Sequence, residues 1–515
     1  MTGQLPILTI APLLFGAFAV TAGRFLFRRA NYAVASLALA ASFAASVLLA
    51  IQILTHGPAI YFVGGWPPPV GISYVADPLS ALMLAFVSGA ALCTFLASKS
   101  EIETSYPLKN SAFYALFLLA VAGHMGIVVT GDAFNLYVLI EVAALSGYAI
   151  LAQGRERAML SSLNYLFVGS LGASLYLLGV GYLYIMTGSL NMADLSAIIG
   201  RLTPDGLSGS TALAAAWGVI LAGLFVKMGL FPFHSWLPAA YSFSAAPAAA
   251  LVAPLTTKVM AYVLVRMILS VFTPDAAWGV PAINTLILVL ATAAILYGSF
   301  CALAQRSLRK MLCFILLSEV GYMVGGAFLG NRAGLTGTIY HIFADLLMTL
   351  CLFLVAANIE RGTGGRFSDM GGLFRRMPVT AAALVLGAAS MIGVPPFCGF
   401  FSKWYLLSGA IAAESYAFAG ALVISSLVNA VLFFRIFEIG FFGAPPDHTG
   451  QADQAEPAGE SGHGHPGPIP FFRDEMPPAR LAPLCLVAAS LVVMGLLTGQ
   501  IVRLVVDPIL PPGLG

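Results

Sequence analysis

GDAFNLYVLIEVAALSGYAILA (131–152) is the stretch on which the fold turns. After Asp132 it runs apolar to its end with a single charge, Glu141, near the middle. Roughly 20 predominantly apolar residues suffice to cross a bilayer as a helix. A carboxyl group held at the centre of such a helix costs about 2.5–3.5 kcal/mol on insertion scales, so it is kept for a purpose. The segment reads as a transmembrane helix carrying a working acid.

The rest of the chain agrees with that reading. Of its 515 residues 59% are hydrophobic and 9% charged, with a mean hydropathy of +0.92, too apolar for a water-soluble domain. The formal net charge of +2 comes from sparse basic residues rather than a patch, which excludes a nucleic-acid or acidic partner. The cysteines, Cys93, Cys301, Cys313, Cys351, Cys398 and Cys485, lie in apolar stretches without C-x-x-C spacing and read as small core residues. MTGQLPILTI at the start lacks a basic n-region, so its apolar run is expected to stay as a membrane helix.

By the same yardstick the chain holds roughly 14 spans, near 6–23, 31–54, 76–97, 111–130, 132–152, 160–187, 211–231, 243–272, 280–304, 309–329, 333–358, 378–412, 416–442 and 481–505. Alternate connections carry Arg24, Arg28 and Arg29, then Lys99 and Lys109, Arg155 and Arg157, Arg306, Arg309 and Lys310, Arg361, Arg366, Arg375 and Arg376, and last Arg473 and Arg480. The opposite connections offer Arg201, Arg332 and Arg503. Lys and Arg collect on the cytoplasmic side, so this alternation supports an even number of spans with both termini outside a bacterial inner membrane. The expected class is an all-α polytopic membrane protein. A polar stretch at 444–480, rich in Pro, Gly, Glu and His, reads as a flexible cytoplasmic loop, and its His463 and His465 as solvated residues rather than metal ligands.

Several spans contain proline. Pro247 and Pro254 fall within 243–272, Pro395 and Pro396 within 378–412, and Pro232 ends the span that carries Lys227. Proline removes a donor and clashes with the preceding turn, so breaks are expected there. Broken helices at membrane depth persist only inside protein or along a wet cavity, and in transporters they mark the substrate path. Lys227 with Phe231-Pro232-Phe233, and Pro395-Pro396-Phe397 with Lys403, are similar pairings that suggest an internal duplication.

The buried charges are the candidates for chemistry. Lys227 precedes one break, and a lysine near a carboxylate is switched between charged and neutral by events at its neighbour. Lys258 follows Pro254; Arg266, ~12 Å further along the helix, is the better snorkeller, which leaves Lys258 as a relay group. Lys403 follows the second break and reads as the end of the relay, or else as an interfacial anchor beside Trp404 and Tyr405. His341, Asp345 and Thr349 share one helical stripe on which a proton could pass. His234 and Glu319 read equally as relay members or as partners for backbone groups at helix breaks. His124 reads as a hydrogen-bonded core residue and Asp77 as an N-cap. No phosphate loop, dinucleotide fingerprint, cysteine cluster or nucleophile elbow is apparent, so no cofactor, metal or catalytic centre is expected.

These segments resemble the antiporter-like membrane subunits shared by respiratory complex I, membrane-bound hydrogenases and Mrp-type Na⁺(K⁺)/H⁺ antiporters, and are most similar to the D-type Mrp subunit. The resemblance rests on 131–152 together with FVKMGLFPFHSWLPAAY (225–241), TTKVMAYVLVR (256–266), SLRKMLCFILLSEVGYM (307–323) and GVPPFCGFFSKWYLLSGA (393–410). It implies fourteen helices with two inverted five-helix repeats, each with a broken helix. The domains would then be 1–110, a first repeat 111–272, a second repeat 280–442, the loop 443–480 and a last helix in 481–515. It also implies a Glu141–Lys227 pair, Lys258 as relay lysine and Lys403 as terminal lysine. The implied function is proton translocation beside sister subunits of a monovalent-cation/H⁺ antiporter, or within the membrane arm of an NADH:quinone oxidoreductase or hydrogenase. A structural subunit that no longer pumps is a third reading. Relatives usually carry His-x-x-x-His-x-x-x-Lys where this chain has His341, Asp345 and Thr349, so Asp345 is expected to titrate in place of the missing lysine.

Overall fold

The structure is a computed structural model that describes residues 2–26, 30–106, 109–154, 157–203, 206–443 and 472–514. Arg28, Arg29, Arg155 and the greater part of the 444–480 loop, with His463 and His465, lie outside the described residues. The chain is an all-α polytopic membrane protein. Its helices are α1 Ala11–Leu26, α2 Asn31–His56, α3 Pro78–Ser105, α4 Asn110–Val129, α5 Ala133–Leu151, α6 Ala158–Thr187, α7 Thr211–Met228 and α8 Trp236–Phe243. There follow α9 Ala246–Arg266, α10 Pro281–Leu303, α11 Leu308–Ala327, α12 Arg332–Thr363, α13 Pro378–Ile392, α14 Cys398–Ala412, α15 Tyr416–Phe442 and α16 Pro478–Leu496. Thirteen spans are long and apolar enough to cross a membrane among the described residues. The remaining expected span, 378–412, is the interrupted pair α13 and α14. Large apolar side chains such as Phe15, Phe18 and Ile185 face outward, as a lipid solvent permits.

Polar side chains start and stop these helices. Asp77 accepts from Ser80 N while Ser80 Oγ accepts from Asp77 N, a reciprocal cap on α3. Asp132 caps α5 through Asn135 N at 2.6 Å, and Asn331 caps α12 through Gly334 N at 2.8 Å. Gly229 (φ +71°) ends α7 and Gly393 (φ +95°) ends α13, both in the left-handed region that suits glycine. The two interruptions therefore stand where the Pro-Phe motifs predict them.

The expected break at Pro254 is not there. The α9 helix runs unbroken through Pro254, and Pro247 sits harmlessly in its first turn. A proline at 254 withholds its N–H from the carbonyl of Ala250, and the Thr94 hydroxyl of α3 donates to that carbonyl instead, at 3.4 Å. Tertiary packing thus fills the gap that sequence alone reads as a kink.

Two helices form the centre. Every residue of α9 from Ala246 to Val265 is buried except Thr256, and every residue of α12 from Gly334 to Ile359 except Leu347. They pack side by side. Around them, α4 to α9 and α10 to α15 each make five crossings with one interrupted helix, α7/α8 and α13/α14. Five is odd, so the second set enters from the face opposite the first and the two are inverted.

A short antiparallel hairpin, β1 Ala59–Phe62 and β2 Ser73–Ala76, lies between α2 and α3, in register Ala59 with Ala76. Bridges from Tyr74 to Thr130 and from Asp132 to Asn191 gather three connections on that face. The opposite face is tied by a Ser307–Arg366 bridge and by ion pairs of Arg309 with Glu360, Arg376 with Asp474 and Arg480 with Glu101. The faces thus differ as the Lys/Arg alternation requires.

Candidate functional site: a file of buried ion pairs

In the first repeat, Lys227 Nζ lies 3.1 Å from Glu141 Oε1. The lysine occupies the last turn of α7, where a cation is favoured by the helix C-terminus, and the acid reaches it from α5. A cavity of about 20 Å³, lined by Lys227, His124, Tyr165 and Thr256, adjoins the pair and has room for one water. His124 itself is hydrogen-bonded to Ala120 O (2.7 Å) and Thr256 Oγ1 (3.3 Å), as its reading as a core residue requires.

The next pair joins the two central helices. Lys258 Nζ of α9 lies 3.0 Å from Asp345 Oδ2 of α12 and donates to Thr349 Oγ1 at 3.0 Å. Thr349 in turn donates to Asp345 Oδ1 at 2.8 Å. Both charged side chains are wholly enclosed. The threonine, where the resemblance led one to expect a lysine, therefore bridges the two members of an ion pair.

One turn from Asp345, His341 Nε2 lies 2.9 Å from Glu319 Oε2 of α11, out of line for a hydrogen bond, and both groups are fully buried. Donor atoms of Glu319, His341 and Asp345 all fall within 4.8 Å of one another. His341 Nδ1 reaches Ser402 Oγ at 3.0 Å, and that hydroxyl donates to Gly399 O at 3.0 Å, so Nδ1 acts as the donor and Nε2 is the atom turned toward Glu319. Neither Nε2 nor the two Glu319 oxygens find a hydrogen-bond partner in this dry site, where an unpaired polar group is costly. Glu319, which the sequence left undecided, is the partner of His341 in this arrangement.

Beside Ser402, Lys403 turns inward while Trp404 faces outward at 58% exposure. Its Nζ donates to Met391 O (2.7 Å) and Ser426 Oγ (3.2 Å) and stands 5.3 Å over the Tyr322 ring. It reaches back across the break to the carbonyls that end α13, so the alternative of an interfacial anchor fails. His234 stacks on Phe231, with ring centroids 5.4 Å apart, and meets Tyr297 edge-on at 4.6 Å, away from the file of ion pairs. Arg266 is no snorkeller: it is paired with Asp77 and bonded to Tyr262, so Asp77 is more than a cap. Sequence reasoning missed Ser402 and Thr94, whose hydroxyls carry no signal in an apolar span.

The family described as NADH:quinone oxidoreductase/Mrp antiporter, TM, matches residues 130–429, more than half the chain and the whole of this file. The chain belongs to that family. Within the NADH:quinone oxidoreductase/Mrp antiporter family, the N subunit of the NADH-quinone oxidoreductase of Desulforudis audaxviator is 41% identical over 99% of this chain and 99% of its own. The D-type subunit of the Na(+)/H(+) antiporter of Alkalihalophilus pseudofirmus is 33% identical over 79% of this chain and 81% of its own. Among solved structures, a chain of the Mrp complex from Dietzia sp. superposes with a TM-score of 0.84 at 26% identity, covering 99% of this chain and 96% of that one. Respiratory complex I from Thermus thermophilus gives 0.80 at 21% identity, covering 99% and 98%, a likeness of fold.

Proposed function

We propose that this chain is the proton-translocating membrane subunit of a multisubunit monovalent-cation (Na⁺ or K⁺)/H⁺ antiporter. The observation that carries the reading is the Lys258–Asp345 pair, sealed between the central helices of the two five-helix sets, 111–272 and 280–442. An isolated charge there is prohibitively costly, so each member depends on the other. A proton arriving on Asp345 removes the counter-charge of Lys258, which then gives up its own proton along the file. The relay runs Glu141, Lys227, Lys258, Asp345, then His341 with Glu319, then Lys403; the orphaned oxygens of Glu319 and the Nε2 of His341 support its middle step. Asp345 serves where the family carries a lysine nearby, with Thr349 holding it to Lys258. His234, at the α7/α8 break, is held as a secondary member.

The working unit is then an assembly of this chain with sister subunits in a bacterial inner membrane, both termini outside, with H⁺ and a monovalent cation as the transported species. The 41% identity to the N subunit of an NADH-quinone oxidoreductase favours one other reading, the membrane arm of such an enzyme. Purification of the intact complex separates the two. Small hydrophobic antiporter subunits and ΔpH-dependent Na⁺ or K⁺ flux support the first; iron–sulfur subunits and NADH-driven proton movement support the second. Asp345→Asn should abolish proton movement in either assembly, and a variant that still pumps at the wild-type rate removes the relay reading.

A further inference from the structure

Beyond the relay, the outer half of α9 carries polar groups at regular spacing. Lys258, Tyr262 and Arg266 follow at four-residue intervals, so they form one stripe with ~6 Å of axial rise between neighbours. Arg266 Nε donates to Tyr262 Oη at 2.8 Å, and Tyr262 Oη donates to Val128 O at 2.8 Å. The Arg266 guanidinium also grips both carboxylate oxygens of Asp77.

Two cavities meet at this arginine. One, of about 240 Å³, lies beneath the β1–β2 hairpin and is lined by Ser73, Thr130, Asn191, Tyr262, Arg266 and Ser270 among others. The second, of about 610 Å³, borders Asp77, Arg266, Ser270 and Arg503. Water fills ~30 Å³ per molecule in the liquid, so the first cavity holds several, and its lining offers hydroxyls and an amide to bind them. Tyr262 forms its floor, one helical turn from Lys258.

We propose that the cavity under the hairpin is the solvent entrance of the relay on that face, with Tyr262 as the positioning residue that passes protons to or from Lys258 and the Asp77–Arg266 pair as its gate. The inference rests on Lys258 being a relay group. In the passage, the Tyr262 hydroxyl swings its O–H away from Val128 O, accepts a proton from cavity water and yields its own through an intervening water toward a neutral Lys258, so the tyrosine and both waters end unchanged and one proton has moved inward. Arg266 stays charged throughout. The Asp77–Arg266 pair occupies the mouth with its charges matched, and the hydroxyls beside it carry protons by hopping, a route that hydrated Na⁺ or K⁺ does not share.

The test uses the full-length chain in its native membrane, with the six cysteines replaced by serine and a single new thiol, Ser270→Cys. Ile60→Cys, on the exposed hairpin, marks the side. A membrane-impermeant maleimide should label Ser270→Cys from the same side as Ile60→Cys; labelling from the other side, or from neither, overturns the entrance. Tyr262→Phe should lower proton flux at least tenfold while Ser270→Cys labelling stays unchanged, whereas a purely structural tyrosine moves both together. Asp77→Asn should speed the passive collapse of an imposed pH gradient severalfold and Asp77→Glu should restore it. Unaltered flux in Tyr262→Phe overturns the proton route whether or not Asp77→Asn accumulates. If Glu141→Gln also leaves flux unaltered, the relay itself has failed; if Glu141→Gln stops flux and Tyr262→Phe does not, only the entrance falls.

Discussion

Lys258 touches a carboxylate and a hydroxyl in a site with no exposure to solvent, and the energetics of that contact make a sharp prediction. Lys258→Met leaves Asp345 uncompensated and Asp345→Asn leaves Lys258 so; breaking a buried pair from one side costs about 3–5 kcal/mol. The double variant removes both charges and should recover most of that loss, giving a large coupling in thermal unfolding of the detergent-solubilised protein while transport stays dead. Near-additive losses would mean that the two groups do not depend on each other. At the first pair, Glu141 is 23% exposed, so Glu141→Gln should cut proton flux at least tenfold and leave protein levels unchanged, which immunoblots and vesicle flux assays measure side by side. The charges themselves were legible in sequence because each is too expensive to keep idle. Spacing alone could not name their partners, since Glu141 and Lys227 lie 86 residues apart and Lys258 and Thr349 lie 91 apart; the first pair came from the family resemblance, the second only from the structure. Spacing along one helix could align His341, Asp345 and Thr349, but only packing between helices could bring Glu319 to the imidazole.

The helices were legible in place and order, because a run of apolar side chains long enough for the bilayer has little choice of structure, while their ends were not: the expected 76–97 runs on to Ser105 and the expected 481–505 stops at Leu496. Interruptions were harder. A glycine in the left-handed region closes α7 and α13, and both breaks agree with the Pro-Phe motifs. Pro254 shares the proline without the glycine, and the Thr94 hydroxyl supplies the donor it lacks. Thr94→Val should therefore destabilise the protein by about 1–3 kcal/mol, the penalty for an orphaned buried carbonyl. In a Pro254→Ala background, where the backbone N–H of residue 254 bonds Ala250 O itself, the same change should have little effect. Equal losses in both backgrounds, measured as shifts in Tm, would show that Thr94 acts elsewhere. The β1–β2 hairpin escaped notice for another reason: four-residue strands between two long apolar spans look like any connecting loop.

Across the whole molecule, the seam between the two inverted sets is held by charge as well as shape. Lys258 belongs to one set and Asp345 to the other, while α9 and α12 are buried along nearly their full length. Opening the chain in the connection at 273–279 should yield two fragments that accumulate only when made together. Stable accumulation of either alone, followed by pulse-chase labelling, would contradict that dependence. A single set standing by itself would present a naked charge on its mating face, a surface that lipid cannot cover. It could persist only against a partner face that offers the opposite charge. The ion pair at the centre thus ties the two mating faces to each other, which tolerate change only where acid and base change as partners.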